Sequence, residues 1–416
     1  MRILKLTPRT EKWLLARRAQ RDDEAQSVAA EIVADVRKRG DAALLAWTKK
    51  LDGLDLSRDG VWISKEEIRS AKAQVSPDFL KAIRRAAENV CRVAEQQLPR
   101  PWAIETEPGV RISQRVSPIE SIGCYIPGGR FSLVSTLVMT VIPAQVAGVP
   151  HIAAVCPRPN SELLATASLL GIEKIARVGG AQAIAALACG TNSIPQVEKI
   201  FGPGNKYVTA AKQLVSSDCA IDMPAGPTEA VVLAADGNAR WIAADLLAQA
   251  EHARDAASYF VTTSHSLAQE VQREIKWQLA ELPPGMASVS TETAGTILVA
   301  HSLEQACAFI NRFAPEHLSL PENAERLLQK IHSAGTVFLG PWGAQPLGDY
   351  ATGSNHVLPT GGWARKRGGL SAADFVKCIS VQTIRRNGFL RLAGTVETLA
   401  ESEDLMAHRN AVRVRR

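Results

Sequence analysis

From residue 121 onward, short runs rich in β-branched residues alternate with longer segments rich in alanine and leucine. The short runs at 151–156, 174–178 and 197–201 have the length of strands, and the segments between them at 161–170 and 181–189 have the length of helices. Strands that alternate with helices in this way form βαβ units, in which the strands lie parallel. The alternation therefore limits this part of the chain to the α/β class.

A second alternation of the same kind begins at residue 229. It predicts strands at 230–234, 259–262 and 296–300, with helices at 239–252 and 303–313. Two such units fit a chain of 416 residues, which is long enough for two or three domains. We therefore expect an α/β fold with two successive Rossmann-like modules built on parallel sheets, plus small helical elements at the N-terminal and C-terminal ends.

The changes in pattern along the chain also predict domain boundaries. We expect an N-terminal arm over residues 1–20 and a second α/β domain, which would contact the cofactor, over 121–228. The first α/β domain would combine 21–120 with 229–370 and carry the metal and catalytic residues. A C-terminal helical element would cover 371–416, because a polar and Gly-rich stretch separates it from the second alternation.

Charge and cysteine content exclude several classes of function. The net charge of +6 suits an anionic cofactor, but the basic residues are spread out rather than clustered with aromatic residues, which argues against nucleic acid. Seven cysteines form no CxxC pair and their number is odd, as expected in a reducing compartment. Neither a signal-peptide core nor an apolar run of membrane-spanning length is present, so we expect a cytoplasmic protein with no membrane partner.

A glutamine and a histidine lie three residues apart near the end of the predicted helix 239–252. Gln249 and His252 therefore share one face of that helix. A neutral imidazole is the commonest metal ligand, and a carboxamide oxygen can bind a cation beside it. The alternative is a solvated helix end, where the helix dipole favours a histidine. This segment alone does not decide between the two interpretations.

Two further side chains could complete a metal site. Asp349 lies in the irregular Gly-rich stretch 340–369, and a loop of this length is usually functional or disordered. The stretch has few of the charge runs that mark disorder, so we interpret it as functional. His408 lies on the last predicted helix. Together with Gln249 and His252 these residues form a mixed nitrogen and oxygen set suited to zinc, although their wide separation in sequence does not establish a cluster.

A carboxylate and an imidazole are adjacent at Glu316 and His317. Such a pair can act as general base and proton shuttle when both side chains face one cleft. In a regular strand the two would point to opposite faces, whereas the preceding Pro315 favours a turn. A solvated pair at a helix end is the alternative interpretation.

The loop at 202–206, with the sequence GPGNK, follows a predicted strand and begins a helix. Free backbone N–H groups at such a position suit a phosphate or a carboxylate. The GxGxxG spacing of ordinary dinucleotide sites does not follow the first strand of either module. A purely structural turn explains the loop equally well.

Taken together, these motifs resemble one family, histidinol dehydrogenase, over essentially the whole chain. The motifs that carry the resemblance are, in chain order, YIPGG at 125–129, VGGAQAIAA at 178–186, GPGN at 202–205, IDMPAGPTE at 221–229, QAEH at 249–252, APEHL at 314–318, GDY at 348–350, NHVLPT at 355–360 and AH at 407–408. Their combination is far more specific than any one of them alone.

The resemblance implies an enzyme that depends on zinc and NAD and oxidises L-histidinol to L-histidine. The reaction would run through L-histidinaldehyde in two hydride transfers and would be the last step of histidine biosynthesis. Glu316 and His317 would form the acid–base pair. One zinc ion per subunit would be bound by the set Gln249, His252, Asp349 and His408.

The resemblance also implies which residues contact the two small molecules. Tyr125, Gln182 and Asn205 would contact NAD. L-histidinol would be contacted by the set Thr228, Gln249, His252, His317, Asp349, Glu403 and His408. Thr228 stands where many members have serine, and it keeps the hydroxyl group.

The resemblance further implies a homodimer in which each site is completed by the partner chain. The C-terminal segment of one chain would reach into the site of the other, which would place Glu403 and His408 in the neighbouring subunit's pocket.

Two other functions fit parts of the sequence. One is a related zinc- and NAD-dependent dehydrogenase that acts on another polar alcohol, such as a sulfopropanediol. Glu403 argues against it, because a carboxylate suits an ammonium group and repels a sulfonate. The other is a non-catalytic α/β binding module stabilised by zinc. The intact pair Glu316 and His317 argues against that interpretation.

Overall fold

The computed structural model describes residues 1–18, 22–128, 132–224, 226–283, 285–321 and 324–416. Gly129 and Ala225, which belong to two of the motifs above, lie outside the described residues. The first part of the chain is mainly helical and contains, in order, β1 (Arg2–Lys5), α1 (Pro8–Arg18), α2 (Asp23–Arg39), α3 (Asp41–Asp52), α4 (Leu56–Asp59), α5 (Lys65–Ser70), a 3-10 turn (Ala71–Gln74), α6 (Pro77–Gln97), β2 (Trp102–Glu107) and β3 (Val110–Pro118).

The middle and C-terminal parts alternate strands with helices. The elements that follow β3 as far as the second module are β4 (Ser121–Tyr125), α7 (Val134–Ala147), β5 (His151–Val155), α8 (Ser161–Leu169), β6 (Ile175–Ala176), α9 (Gly180–Cys189), β7 (Lys199–Phe201), α10 (Lys206–Val215) and β8 (Ala220–Ile221). Within the described ranges, the helices of the chain include none that is both long and apolar enough to cross a membrane.

The second module and the C-terminal part complete the chain. Their elements are β9 (Glu229–Leu233), α11 (Ala239–Ala250), β10 (Ala257–Thr262), α12 (His265–Glu281), α13 (Met286–Thr293), β11 (Thr296–Val299), α14 (Leu303–Phe313), β12 (His317–Leu320), α15 (Ala324–Leu328), β13 (Thr336–Leu339), α16 (Gln345–Tyr350), two 3-10 turns (Trp363–Arg365 and Ala372–Phe375), β14 (Val376–Ile384), α17 (Arg386–Ser402) and α18 (Met406–Arg413). The predicted fold class, α/β with two parallel-sheet modules, is confirmed.

The first parallel sheet has five strands in the order β6-β5-β4-β7-β8. The first strand, β4, is the central one. The next two, β5 and β6, lie on one side of it, and β7 and β8 lie on the other. Strand order therefore reverses between β4 and β7, and such a switch point leaves a crevice at the carboxyl ends of the strands. Tyr125 ends β4 and Gly202 follows β7, so two of the predicted cofactor segments meet at this crevice.

The second parallel sheet has six strands in the order β1-β11-β10-β9-β12-β13. Its edge strand β1 comes from the N-terminus, where Ile3 pairs with Ile297. The predicted N-terminal arm over 1–20 is therefore wrong over its described residues, because the backbone of β1 completes the sheet and Leu14 of α1 is buried in the core beneath it. Residues 19 and 20 lie outside the described residues.

The helices between residues 23 and 97 pack on the five-stranded sheet rather than on the six-stranded one. Ile32 of α2 shares a core with Ile184 of α9, and Val90 of α6 shares another with Leu137 of α7. The expected grouping of 21–120 with 229–370 is thus corrected for the described residues. The reason is that the apolar faces of these helices are buried against the module of 121–228.

A third, antiparallel sheet in the order β14-β3-β2 joins the C-terminal part to the rest of the chain. Ile379 of β14 lies opposite Arg115 of β3 in this sheet. The region 371–416, expected to be helical, therefore begins with a strand before α17 and α18. Most of the side chains of β14 and α18 are exposed, so the pattern of core burial that marks other strands is missing here.

Candidate active site

A tight turn places Glu316 and His317 next to each other. Helix α14 ends at Phe313, and Ala314 adopts a left-handed conformation with φ of 51° that turns the chain toward β12. Glu316 precedes this strand and His317 begins it, and their side chains are only 8% and 4% exposed. The distance from His317 Nδ1 to Glu316 Oε2 is 3.8 Å. The two groups therefore share one buried space, as the turn expected at Pro315 would allow.

Glu316 is fixed by the segment that leads into β9. Its Oε2 atom accepts a hydrogen bond of 2.6 Å from the Thr228 hydroxyl and one of 2.9 Å from the Glu229 backbone N–H. The Thr228 oxygen in turn accepts a hydrogen bond of 2.8 Å from Gln249 Nε2. The threonine hydroxyl thus links a predicted metal ligand to a predicted catalytic carboxylate.

His317 is a buried imidazole whose hydrogen-bonding capacity is unused. Its Nε2 lies 3.6 Å from Asp349 Oδ1, and neither ring nitrogen has a hydrogen-bond partner among the described residues. Burial lowers the pKa of His317, but the carboxylates of Glu316 and Asp349 more than offset this, so the net pKa is raised. Buried polar atoms are normally hydrogen-bonded, so an unpartnered imidazole in a carboxylate-lined space points to a bound ligand.

Helix α16 carries Asp349 to the same space. Burial raises the pKa of Asp349, but interactions with His317 and with the nearby His356 and His252 lower it by more, and the net pKa is lowered. The Gln249 Oε1 atom accepts a hydrogen bond of 2.7 Å from Gln345 Nε2 at the start of α16. The end of α11 and helix α16 therefore face each other around Gln249, His252 and Asp349.

The remaining predicted site residues lie apart from this space within one chain. Glu403 and His408 are exposed side chains at the end of α17 and on α18. Across the ranges that the structure covers, no cluster of three or more histidine, cysteine, aspartate or glutamate side chains is arranged to hold a metal ion. One chain thus brings together three of the four predicted zinc ligands but not His408.

The predicted cofactor residues follow strands of the five-stranded sheet or end one, at the carboxyl ends of those strands. The Tyr125 hydroxyl accepts a hydrogen bond of 3.2 Å from the Gly180 N–H, and burial raises the pKa of this tyrosine to about 12. Gln182 Nε2 donates to Asp52 Oδ2 at 2.9 Å, while its buried Oε1 has no partner in the described part of the chain. The Asn205 side chain caps the N-terminus of α10. An unsatisfied amide oxygen and a helix N-terminus at one crevice suit a polar ligand.

One cavity lies between the two parallel-sheet modules. It has a volume of about 340 Å³ and is lined by Gly204 and Lys206 from the five-stranded module and by Pro227 and Thr360 from the other. Pro227 immediately precedes Thr228, which holds Glu316. None of the predicted catalytic, metal or cofactor residues is among the described lining residues, so the cavity lies beside the site rather than within it.

Two contributors to the site were missed from the sequence. Glu229 is buried, holds Glu316 through its backbone, and pairs with Arg18, whose guanidinium also donates to the Ala314 carbonyl at 2.9 Å. Burial raises the pKa of Glu229 to about 7, against the opposing effect of Arg18. Gln345 orients Gln249. A carboxylate at the first position of an otherwise apolar strand was the available signal for Glu229.

Fold and site together define an α/β enzyme with a buried carboxylate–imidazole pair at one parallel sheet and a crevice at the strand-order reversal of the other. A family model described as histidinol dehydrogenase matches residues 15–416. The chain is 47% identical to the histidinol dehydrogenase of Shewanella oneidensis over 94% of this chain and 92% of that protein. It is 43% identical to that of Methanosarcina barkeri over 97% and 94%.

A solved structure agrees with the sequence comparisons. The crystal structure of histidinol dehydrogenase from Elizabethkingia anophelis covers 100% of this chain and 98% of its own, with a TM-score of 0.94 and 40% identity. The chain belongs to the histidinol dehydrogenase family, and it is an oxidoreductase that acts on a small-molecule substrate.

Proposed function

We propose that the protein oxidises L-histidinol through L-histidinaldehyde to L-histidine, with zinc and NAD as cofactors. The observation that carries the proposal is the buried imidazole of His317, which has carboxylates on two sides and no hydrogen-bond partner among the described residues. Family membership supports it, since the relatives compared above are histidinol dehydrogenases by name. A cytoplasmic location is part of the proposal, and seven unpaired cysteines support it.

The donor set fits a zinc ion. Gln249 and Asp349 would supply oxygen, and His252 together with His408 of the partner subunit would supply nitrogen. The hydrogen bonds from Gln345 to Gln249 and from Gln249 to Thr228 fix the orientation of the Gln249 carboxamide without a metal. These residues would hold the ion, which would supply Lewis-acid binding of the substrate's nitrogen donors.

The crevice of the five-stranded sheet fits NAD. Ligands of open parallel sheets bind where the strand order reverses, at the carboxyl ends, and Tyr125, Gln182 and Asn205 lie there. The N-terminus of α10 would favour the pyrophosphate. NAD would accept one hydride in each of the two oxidation steps.

His317 would act as the base of the first oxidation. It takes the proton of the histidinol hydroxyl while a hydride leaves the same carbon, and the aldehyde forms. Because Glu316 and Asp349 stabilise an imidazolium at this position, the protonated His317 is tolerated in the buried site. The ring must lose this proton before it can act as a base in the second oxidation, so the neutral ring is the active form.

Glu316 would act as the base of the second oxidation. It takes a proton from water as the water oxygen bonds to the aldehyde carbon, and the protonated His317 gives its proton to the former carbonyl oxygen, which yields the hydrated aldehyde and a neutral imidazole. His317 then takes a hydroxyl proton while the second hydride leaves, and the carboxylate forms with release of a further proton. Two bases held next to each other suit two consecutive oxidations of one carbon.

A homodimer would complete each site. The C-terminal part exposes large apolar side chains that its own chain does not cover, including Leu399 at 58% and Val414 at 69%. Around the metal-binding end, Trp342 at 78% and Tyr350 at 62% are exposed as well. Exposed apolar surface of this extent is typical of a protein interface. We therefore assign Glu403 and His408 to the site of the neighbouring subunit.

The decisive experiment is a coupled measurement of NADH and product. Zinc-loaded enzyme with L-histidinol and excess NAD should form two NADH per histidine, and the NADP reaction should be run beside it. A panel of amino alcohols and diols, including a sulfopropanediol, tests the substrate class. His265→Ala changes an exposed side chain at the start of α12 and serves as a control that should leave the rate unchanged. Turnover of the sulfonated diol in preference to histidinol would contradict the proposal.

A further inference from the structure

A buried ion pair lies next to the cofactor crevice. Lys212 of α10 and Asp222, which follows β8, are joined directly, and their side chains are only 2% and 1% exposed. Removing two charges from water is costly, and apolar side chains of similar volume often stabilise a fold as well or better. The stability of the module therefore does not by itself account for the ion pair, so the contacts of the pair with neighbouring groups must explain it.

The pair binds both backbone polar groups of a single residue. The Gly202 N–H donates to Asp222 Oδ2 at 2.8 Å, and Lys212 Nζ donates to the Gly202 carbonyl at 2.9 Å. Gly202 is the first residue after β7, where the chain leaves the sheet. The ion pair replaces the partners that a neighbouring strand would provide, so the chain can turn away without leaving buried backbone groups unsatisfied.

The same residue lies against the opposite wall of the crevice. Gly202 has a φ of 118°, and a Cβ atom there would stand 2.2 Å from the Tyr125 carbonyl oxygen. The loop that begins at Gly202 ends at Asn205, which caps α10. A displacement of Gly202 would therefore alter both the distance from the loop to Tyr125 and the position of the helix N-terminus.

Asp222 is itself fixed from a second direction. Its Oδ1 accepts a hydrogen bond of 2.6 Å from the Met223 N–H, and its backbone carbonyl accepts one from Arg367. Arg367 is also paired with Asp374 at 3.0 Å. The carboxylate is thus held by the next backbone N–H and the backbone of Asp222 by Arg367, which makes the residue a rigid support for Gly202.

We propose that Lys212 and Asp222 are positioning residues that fix where the 202–205 loop lies relative to Tyr125, so that the loop can bind the pyrophosphate of the dinucleotide. The inference rests on the proposed use of NAD and adds residues that are not themselves expected to touch it. They act through Gly202, and the cofactor bound by the loop gains affinity because the loop needs no rearrangement on binding.

The test compares NADH binding in variants of the full-length protein. Replacing both partners together, K212M/D222N, removes the pair without leaving an isolated buried charge. Its dissociation constant for NADH, measured by fluorescence in the absence of substrate, should rise at least about tenfold. Zinc content should stay at the wild-type value, and the KM for L-histidinol at saturating NAD should change less than about twofold.

A matched control separates loop positioning from loss of stability. Leu163→Ala removes a fully buried side chain from α8, between β5 and β6 in the other half of the same module. It should lower the melting temperature while leaving the NADH dissociation constant unchanged. A K212M/D222N protein that binds NADH as tightly as wild type overturns the inference. Should that variant fail to fold, Asp222→Glu keeps the charge, lengthens the side chain and is judged by the same criterion.

The two proposals fail in distinguishable ways. A zinc-loaded wild-type protein that binds no NADH contradicts the proposed function, and the present inference with it. Tight wild-type binding that the paired substitution leaves intact contradicts only the positioning role of Lys212 and Asp222.

Discussion

Thr228 lies between Gln249 and Glu316, and its hydroxyl group takes part in a hydrogen bond with each. Thr228→Val keeps the shape of the side chain but removes the donor to the carboxylate. A hydrogen bond to a charged group is worth about 1.5–3 kcal/mol, so we expect kcat to fall about tenfold to a hundredfold. Thr228→Ser is the matched control because it keeps the hydroxyl, and steady-state kinetics of the two should differ accordingly. Equal rates in both variants would contradict the role of this hydroxyl.

Glu316 should matter more for the second oxidation than for the first, because its proposed task is to activate water. Glu316→Gln keeps the size of the side chain and removes the base. The variant should still convert some L-histidinol to the aldehyde, while oxidation of supplied L-histidinaldehyde should fall by about a hundredfold or more. Single-turnover measurements of both half-reactions test this. An equal loss in both would indicate a general structural role instead.

Asp245 is a half-buried carboxyl group on α11, where burial raises its pKa to about 6 from an ordinary 3.8. Because the folded pKa is raised, the stability linked to this group is present below about pH 4 and is lost as the pH rises through about 6. Asp245→Asn should therefore raise the free energy of unfolding by about 1–3 kcal/mol at pH 8 and leave it unchanged near pH 4. Urea unfolding of the metal-free protein at both pH values is the measurement. A variant no more stable than wild type at pH 8 would count against the shifted pKa.

At the scale of elements, the end of α11 faces α16, and the proposed metal site depends on that arrangement. His252→Ala should reduce bound zinc from about one per subunit to well below half, because one of four donors is lost. The metal content of purified protein, measured by mass spectrometry, is the readout. His301→Ala removes an exposed histidine elsewhere and should keep full occupancy. Full occupancy in His252→Ala would remove this residue from the ligand set.

Elements with a strong pattern of apolar residues were predictable from the sequence, and those without one were not. Helix α14 was predicted with the bounds it has, since its apolar face is regular and Ser302 caps its start. Strand β12 is only four residues long and buried on both faces, so no alternation marks it. Strand β14 was missed because its side chains remain largely exposed. The edge strand β1 was missed because so short a segment depends on its partner β11.

The same limit applied to the site. Glu316 and His317 are neighbours in sequence, so a single turn was enough to predict that they meet. The support from Gln345 and Arg18 comes from segments far apart in the chain, and nothing in their local sequence specifies the contact. His408 could not be placed by local pattern, because its surroundings depend on how chains associate.

At the scale of the whole molecule, His408 is exposed on α18 whereas Glu316 and His317 are buried at the start of β12. If each site is completed by the partner, mixing His317→Ala with His408→Ala should restore activity after subunit exchange. A mixed dimer would hold one site with both changes and one intact site. Recovery should approach about one quarter of wild-type activity, because about half of the dimers are mixed. Each variant exchanged with itself is the control, and no recovery after exchange confirmed by mass spectrometry would place the complete site within one chain.

The three-stranded antiparallel sheet has two open edges, β2 and β14, and both carry exposed apolar side chains such as Trp102, Ile104 and Ile379. Open edges of this kind are templates for pairing with other chains, and soluble proteins normally protect them with charge, proline or cover. If the proposed dimer covers these edges, a chain kept apart from its partner, by dilution or by a substitution at the interface, should form insoluble aggregates rather than persist as a monomer. Light scattering during such a dilution should rise before enzymatic rates or circular dichroism report unfolding.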